Sequence, residues 1–171
     1  ARGGAGHRGG AIDIGGATVL VDSFTPVEAV AALDFPARID ASGDAGGGSV
    51  RIEAVAAEGV ARSGALYFGP TGSVRADARV AGTGGDVRLL GQRTLRAHGT
   101  LAARGGPQGG DGGFVETSGG YAVPAADLGN PELGGGYDLR GVTVDALATA
   151  GRTGTWLIDP YDVVISNGSG A

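Results

Sequence analysis

Chemistry in this chain would have to start from two histidines, a scatter of carboxylates and one glycine-aspartate run. His7 and His98 lie far apart, and neither has a second His or a Cys at metal-ligand spacing. There is no cysteine at all, so no thiolate nucleophile, thiolate metal site or disulfide. No G-x-S-x-G elbow occurs to present a serine. Asp13, Asp22, Asp40, Glu53, Asp77, Asp86 and Glu116 fall mostly on the polar side of alternating runs. Paired-acid glycoside chemistry needs two carboxyl groups on one face, about 5–9.5 Å apart. A carbohydrate-active enzyme is therefore the alternative reading, but alternating surface charge accounts for the same residues without catalysis. "GAGHRG" (4–9) fits a dinucleotide glycine pattern, yet no strand precedes it and strand-like residues follow, the reverse of what phosphate binding needs. "GGPQGGDGG" (105–113) has one aspartate, Asp111, where calcium-binding glycine repeats need a periodic series. Asn167-Gly168-Ser169 matches a glycosylation sequon and equally a turn. The expectation is a non-enzyme: no catalytic residue, no metal ligand and no cofactor.

The elements that would hold these residues are short strands. Runs at 11–14, 17–21, 49–54, 65–68, 73–80, 86–90, 94–97, 113–117, 142–146 and 162–166 mostly alternate apolar and polar residues, the period of a half-buried strand. Glycine clusters separate them and supply turns. "GGGSVRI" (46–52), "GTGGDVRL" (82–89) and "GDGGFVET" (110–117) share a Gly-Gly-x-Val core, so Gly113 and Val115 hold a repeated place. Loose repetition with variable loops is the mark of a solenoid. The spacing predicts turns of about 20 residues, with Val50, Ile52, Val87, Leu89, Val115, Val142, Val144 and Ile165 lining one bore. A sandwich of similar strands is the structural runner-up. One segment departs from the pattern. In "SFTPVEAVAALDFP" (23–36), Thr25, Pro26 and Glu28 form a helix start and Pro36 a stop, which predicts a short helical insert near 26–34, packed on the solenoid's flank or end.

Composition narrows the partners. Hydrophobic residues make up 42% of the 171, enough for one domain, 1–171, with its own core despite 37 glycines. The net charge is −5, which disfavours nucleic acid as a partner. The chain lacks methionine, even at position 1, and is expected to be a processed piece of a longer precursor. No apolar run approaches the roughly 20 residues that span a bilayer as a helix.

"GDGGFVETSGG" (110–120) and "RTGTWLIDPYDVVIS" (152–166), in that order, resemble the filamentous-haemagglutinin-type exoproteins of bacterial two-partner secretion. The two motifs cover roughly the last third of the chain, and the segment between them is longer than in that family. The resemblance implies a right-handed parallel β-helix, export through an outer-membrane transporter partner, a secreted or cell-surface location, and roles in adhesion, biofilm or filaments. Partners would then be further copies stacked end to end, neighbouring repeats of the same precursor, or a host or glycan surface. Within this frame Trp156 is expected to be well buried over an irregular turn, where Asp159-Pro160 breaks the strand ladder; cleavage at that acid-labile bond is the alternative.

Overall fold

A computed structural model describes residues 1–22, 36–60, 63–120 and 136–160. Among the described residues there are thirteen strands and no helix. The chain is all-β, and every strand pairing is parallel. The first sheet holds β1 (Ala11–Gly16), β4 (Ser49–Ala54), β7 (Asp86–Gly91), β10 (Phe114–Gly119) and β13 (Thr155–Pro160), in that spatial order. The second stacks β2 (Thr18–Val21), β5 (Ala65–Phe68), β8 (Thr94–Ala97) and β11 (Gly136–Asp138). The third stacks β3 (Arg38–Asp40), β6 (Ser73–Arg75), β9 (Thr100–Ala102) and β12 (Thr143–Asp145). The chain visits the three sheets in turn, so each circuit lays one strand on each.

Alternation becomes columns. In the first sheet Ile12, Val50, Val87, Val115 and Trp156 are successive partners, as are Ile14, Ile52, Leu89, Thr117 and Ile158. Val19, Leu66, Leu95 and Tyr137 do the same in the second sheet, and Ile39, Val74, Leu101 and Val144 in the third. Apart from Thr117 and the β13 residues Trp156 and Ile158, these columns form one apolar cluster that also takes in Phe68. Val50, Ile52, Val87, Leu89 and Val115 are all fully buried in it, while Val142 and Val144 pack against it only partly covered.

The corner between the third and first sheets explains the recurring glycine pairs. Ala41, Ala76 and Ala103 stack there, their N–H groups donating to the carbonyls of Arg75, Ala102 and Asp145 at 2.8 Å. The glycines that follow press against neighbouring backbone. A Cβ on Gly85 would lie 2.0 Å from the Gly48 carbonyl oxygen, and one on Gly113 2.1 Å from that of Gly85. No side chain fits there, whatever its chemistry.

Several expectations need correction. Successive strands of the first sheet begin at residues 11, 49, 86, 114 and 155, so a circuit takes 38, 37, 28 or 41 residues rather than about 20. One circuit spans three strands and their loops. The strand expected over 73–80 ends at Arg75, and past it Asp77 turns inward while Val80 is exposed. Asp159-Pro160 does not interrupt the ladder. Both residues belong to β13, Asp159 opposite Ser118 and Pro160, with no N–H to donate, at the strand's last position opposite Gly119. The helix expected near 26–34, the strand expected at 162–166, Ile165 and the Asn167 sequon lie outside the described residues.

Candidate functional site

The carboxylates were the candidates for chemistry, and the strand register now places them. Glu53, Ser118 and Asp159 occupy one outward column of the first sheet, on β4, β10 and β13. With Glu116 they line a groove of ≈ 550 Å³ at the end of that sheet. Glu53 and Asp159 stand three strands apart, about 14 Å at 4.7–4.9 Å per strand, too far for two carboxyl groups to share one glycosidic bond. Glu116 and Asp159 are diagonal neighbours on adjacent strands, a relation that places side chains about 7–8 Å apart. Glu116 already has partners. One oxygen accepts from Arg88 Nη1 at 3.1 Å, the other from the Ser118 hydroxyl at 2.8 Å. Glu53 accepts from both Nη2 and Nε of Arg51, at 2.8 and 3.2 Å.

Most aspartates hold backbone. Asp77, only 5% exposed, accepts the Arg104 N–H at 2.9 Å on one oxygen and the Arg104 guanidinium at 3.0 Å on the other. Its own N–H donates to Ser42 Oγ at 3.1 Å, so Asp77 ties together three successive circuits. Asp111, in the glycine run, takes the Arg152 N–H at 2.9 Å and that guanidinium at 2.7 and 3.1 Å. These bonds hold its carboxyl below the usual aspartate range, the backbone bond from Arg152 contributing most. Asp22 bridges to the N–H and hydroxyl of Thr71 at 3.0 and 2.5 Å. At Asp40, burial pushes the carboxyl up, but hydrogen bonds from Ser42 and Arg2 outweigh it and the net shift is downward. Asp138 is pulled to about 2, chiefly by the hydrogen bond from the Arg140 side chain.

A second groove, ≈ 610 Å³, runs along the third sheet and is rich in arginine. Its cations are largely paired: Arg2 with Asp40 at 2.6 Å, Arg79 with Asp44 at 3.0 Å and Arg104 with Asp77 at 3.0 Å. Among the described residues no three His, Cys, Asp or Glu side chains converge as a metal site. His7 is exposed in the N-terminal loop, and His98 sets its Nδ1 2.7 Å from the Arg140 carbonyl.

Gly113 and Val115 sit as neighbours in the stack, one at the glycine corner, the other in the bore. Trp156 follows Val115 in its column but is 38% exposed, because no described strand lies beyond β13. The expected deep burial is not observed. Its indole N–H instead donates to Thr117 Oγ1 at 3.1 Å. The Tyr137 hydroxyl donates to the Thr117 carbonyl at 2.6 Å and lies 2.9 Å from the same Oγ1. Burial raises the Tyr137 pKa, the bond to Thr117 opposes that rise, and the charge of Asp159 adds to it. This Trp156–Thr117–Tyr137 link and the role of Asp77 were not read from sequence. Thr117 did carry a signal, as the one hydroxyl at an inward position of the FVET run. Asp77 carried none, since the local alternation assigned it to the surface.

No family model matches this chain, and no curated protein or solved structure matches it either.

Proposed function

We propose that this chain is a non-enzymatic, extracellular structural or adhesive module, wound as a right-handed parallel β-helix, from an exoprotein of the filamentous-haemagglutinin type. The observation that carries the reading is the use made of its charged groups. Asp22, Asp40, Asp77, Asp111 and Asp138 each hold backbone N–H groups, so carboxylates that could do chemistry serve as staples of the stack. The parallel register supports the handedness, because crossovers between parallel strands of one sheet are right-handed in about 98% of cases. The motifs at 110–120 and 152–166 support the family, and with it export through an outer-membrane transporter, a secreted or cell-surface location, and a host or glycan surface as partner. The net charge of −5 argues against nucleic acid.

A second reading, a carbohydrate-active β-helix, rests on the Glu116–Asp159 diagonal in the groove of the first sheet. One experiment separates the two. The purified chain is incubated with a panel of neutral and acidic polysaccharides, and released reducing ends are measured. The structural reading expects no release above blank. Release that disappears in both Glu116→Gln and Asp159→Asn would overturn it in favour of the enzyme.

A further inference from the structure

Five of the chain's thirteen arginines line the groove along the third sheet, against two aspartates, Asp40 and Asp77. The chain as a whole carries a net charge of −5, so the groove opposes the sign of the molecule. We propose that this groove binds an extended acidic polysaccharide, gripping its carboxylate or sulfate groups with a diagonal row of Arg38, Arg75 and Arg104. The inference rests on the structural reading above and names the chemistry of its glycan partner.

The strand register builds the row. Arg38 pairs with Ser73 and Asp40 with Arg75, so Arg38 and Arg75 are diagonal neighbours on β3 and β6. Arg75 pairs in turn with Ala102, and two residues on Arg104 stands against Asp77, diagonal to Arg75. Each step is one strand across and two residues along, about 8 Å, so the row covers about 16 Å. A single small anion cannot reach both ends. A linear chain bearing several anions can.

These cations keep donors to spare. Arg38 is exposed and makes no ion pair with any described residue. The Arg75 side chain is 48% exposed, and its carboxylate contact is 3.8 Å long. That oxygen, Asp77 Oδ2, already accepts from Arg104 Nη2 at 3.0 Å. Arg104 spends Nη2 on Asp77, yet its side chain stays 46% exposed. Elsewhere Arg51, Arg88, Arg140 and Arg152 each close on a carboxylate at 2.7–2.8 Å. A guanidinium left open presents a planar fork that matches the paired oxygens of a carboxylate or a sulfate.

The rest of the lining suits sugar better than nucleic acid. It includes no aromatic side chain on which a base could stack. It does include Ser73, opposite Arg38 on the outer face, and the carboxylates of Asp40 and Asp77, which together can bond sugar hydroxyls.

The test uses the whole chain and three polymers: polygalacturonate, dextran sulfate and neutral dextran. Binding is read by titration calorimetry at low and at high salt. The acidic polymers should bind, the neutral one should not, and salt should weaken the contact. Arg38→Gln and Arg75→Gln each remove one exposed cation and should lower affinity about fivefold, and the double variant should lose more. Arg51→Gln removes the same charge from the first sheet and should bind like the parent. Thermal unfolding at the parental temperature shows that the variants fold. The proposal is overturned if neither acidic polymer binds, if neutral dextran binds equally well, or if Arg38→Gln and Arg75→Gln bind like the parent. Tighter binding of oligothymidylate or polyglutamate would overturn it as well. Release of reducing ends speaks only to the structural reading, so the two can fail separately.

Discussion

Val115 and Trp156 are partners in one column and point the same way, yet Val115 is fully buried and Trp156 is 38% exposed. The same contrast runs through the other column, where Leu89 is fully buried and Ile158 is exposed. In a stacked fold, burial comes from having a strand on both sides, and residue size does not supply it. The middle circuits are therefore sealed by their neighbours. At β13 the indole is held by other means: it donates to Thr117 below it, whose hydroxyl also lies against the Tyr137 hydroxyl.

The sharpest way to test this contrast is to add atoms where the stack is tightest. Gly113→Ala puts a Cβ 2.1 Å from a backbone oxygen that cannot swing away. It should cost about 3–5 kcal/mol in denaturant unfolding. Gly136→Ala, in β11, meets nothing within 4 Å and should stay within about 0.5 kcal/mol of the parent. Equal effects would show that the two regions pack alike. Removing atoms comes next. Leu95→Ala, in the sealed interior, should cost about 2–5 kcal/mol, and Ile158→Ala at the edge about 1 kcal/mol or less, since little is lost from water-exposed surface.

Trp156 should fall between these. Trp156→Ala removes a partly covered indole and one hydrogen bond, and should lower stability by about 1–2 kcal/mol, below the 3–5 typical of a fully buried aromatic. Trp156→Phe keeps most of the contact and should cost about 1 kcal/mol, the net value of the bond to Thr117. A loss as large as that of Leu95→Ala would mean that the edge is sealed in solution.

The smallest effect is electrostatic. Asp138 has its folded pKa lowered to about 2 by Arg140. Its contribution is present above the unfolded value of about 3.9 and is lost as pH falls through the folded value. Arg140 is largely exposed, so solvent screening keeps the effect below about 1 kcal/mol. The difference in stability between the parent and Asp138→Asn should therefore shrink as pH falls from 5 to 2, read by thermal unfolding. A difference independent of pH would remove the charge from the explanation.

Much of the fold could be read locally. The alternation at 49–54, 86–90 and 113–117 identified the inward residues Val50, Ile52, Val87, Leu89 and Val115, because period-two burial is a property of a single strand. The repeated Gly-Gly-x-Val core marked Gly113, since its tight corner recurs in each circuit. Trp156 was singled out correctly as unusual but given the wrong environment. Its exposure depends on what lies above β13, and its own neighbours in sequence do not encode that. Asp159 and Pro160 were assigned to a break because proline cannot donate to a ladder, but at the last position of β13 the ladder does not depend on that donor.

The amino-acid sequence by itself determined that this protein is built of short strands with one apolar side each, separated by glycine corners. Those features follow from φ/ψ preference and side-chain alternation, which act over a few residues. Only the tertiary structure decided that three strands make a circuit, that circuits vary from 28 to 41 residues, and that Asp77 turns inward to tie three of them together. Register between strands nearly forty residues apart depends on which backbone groups meet across space, and a buried carboxylate is tolerated only where the donors that satisfy it arrive from other circuits.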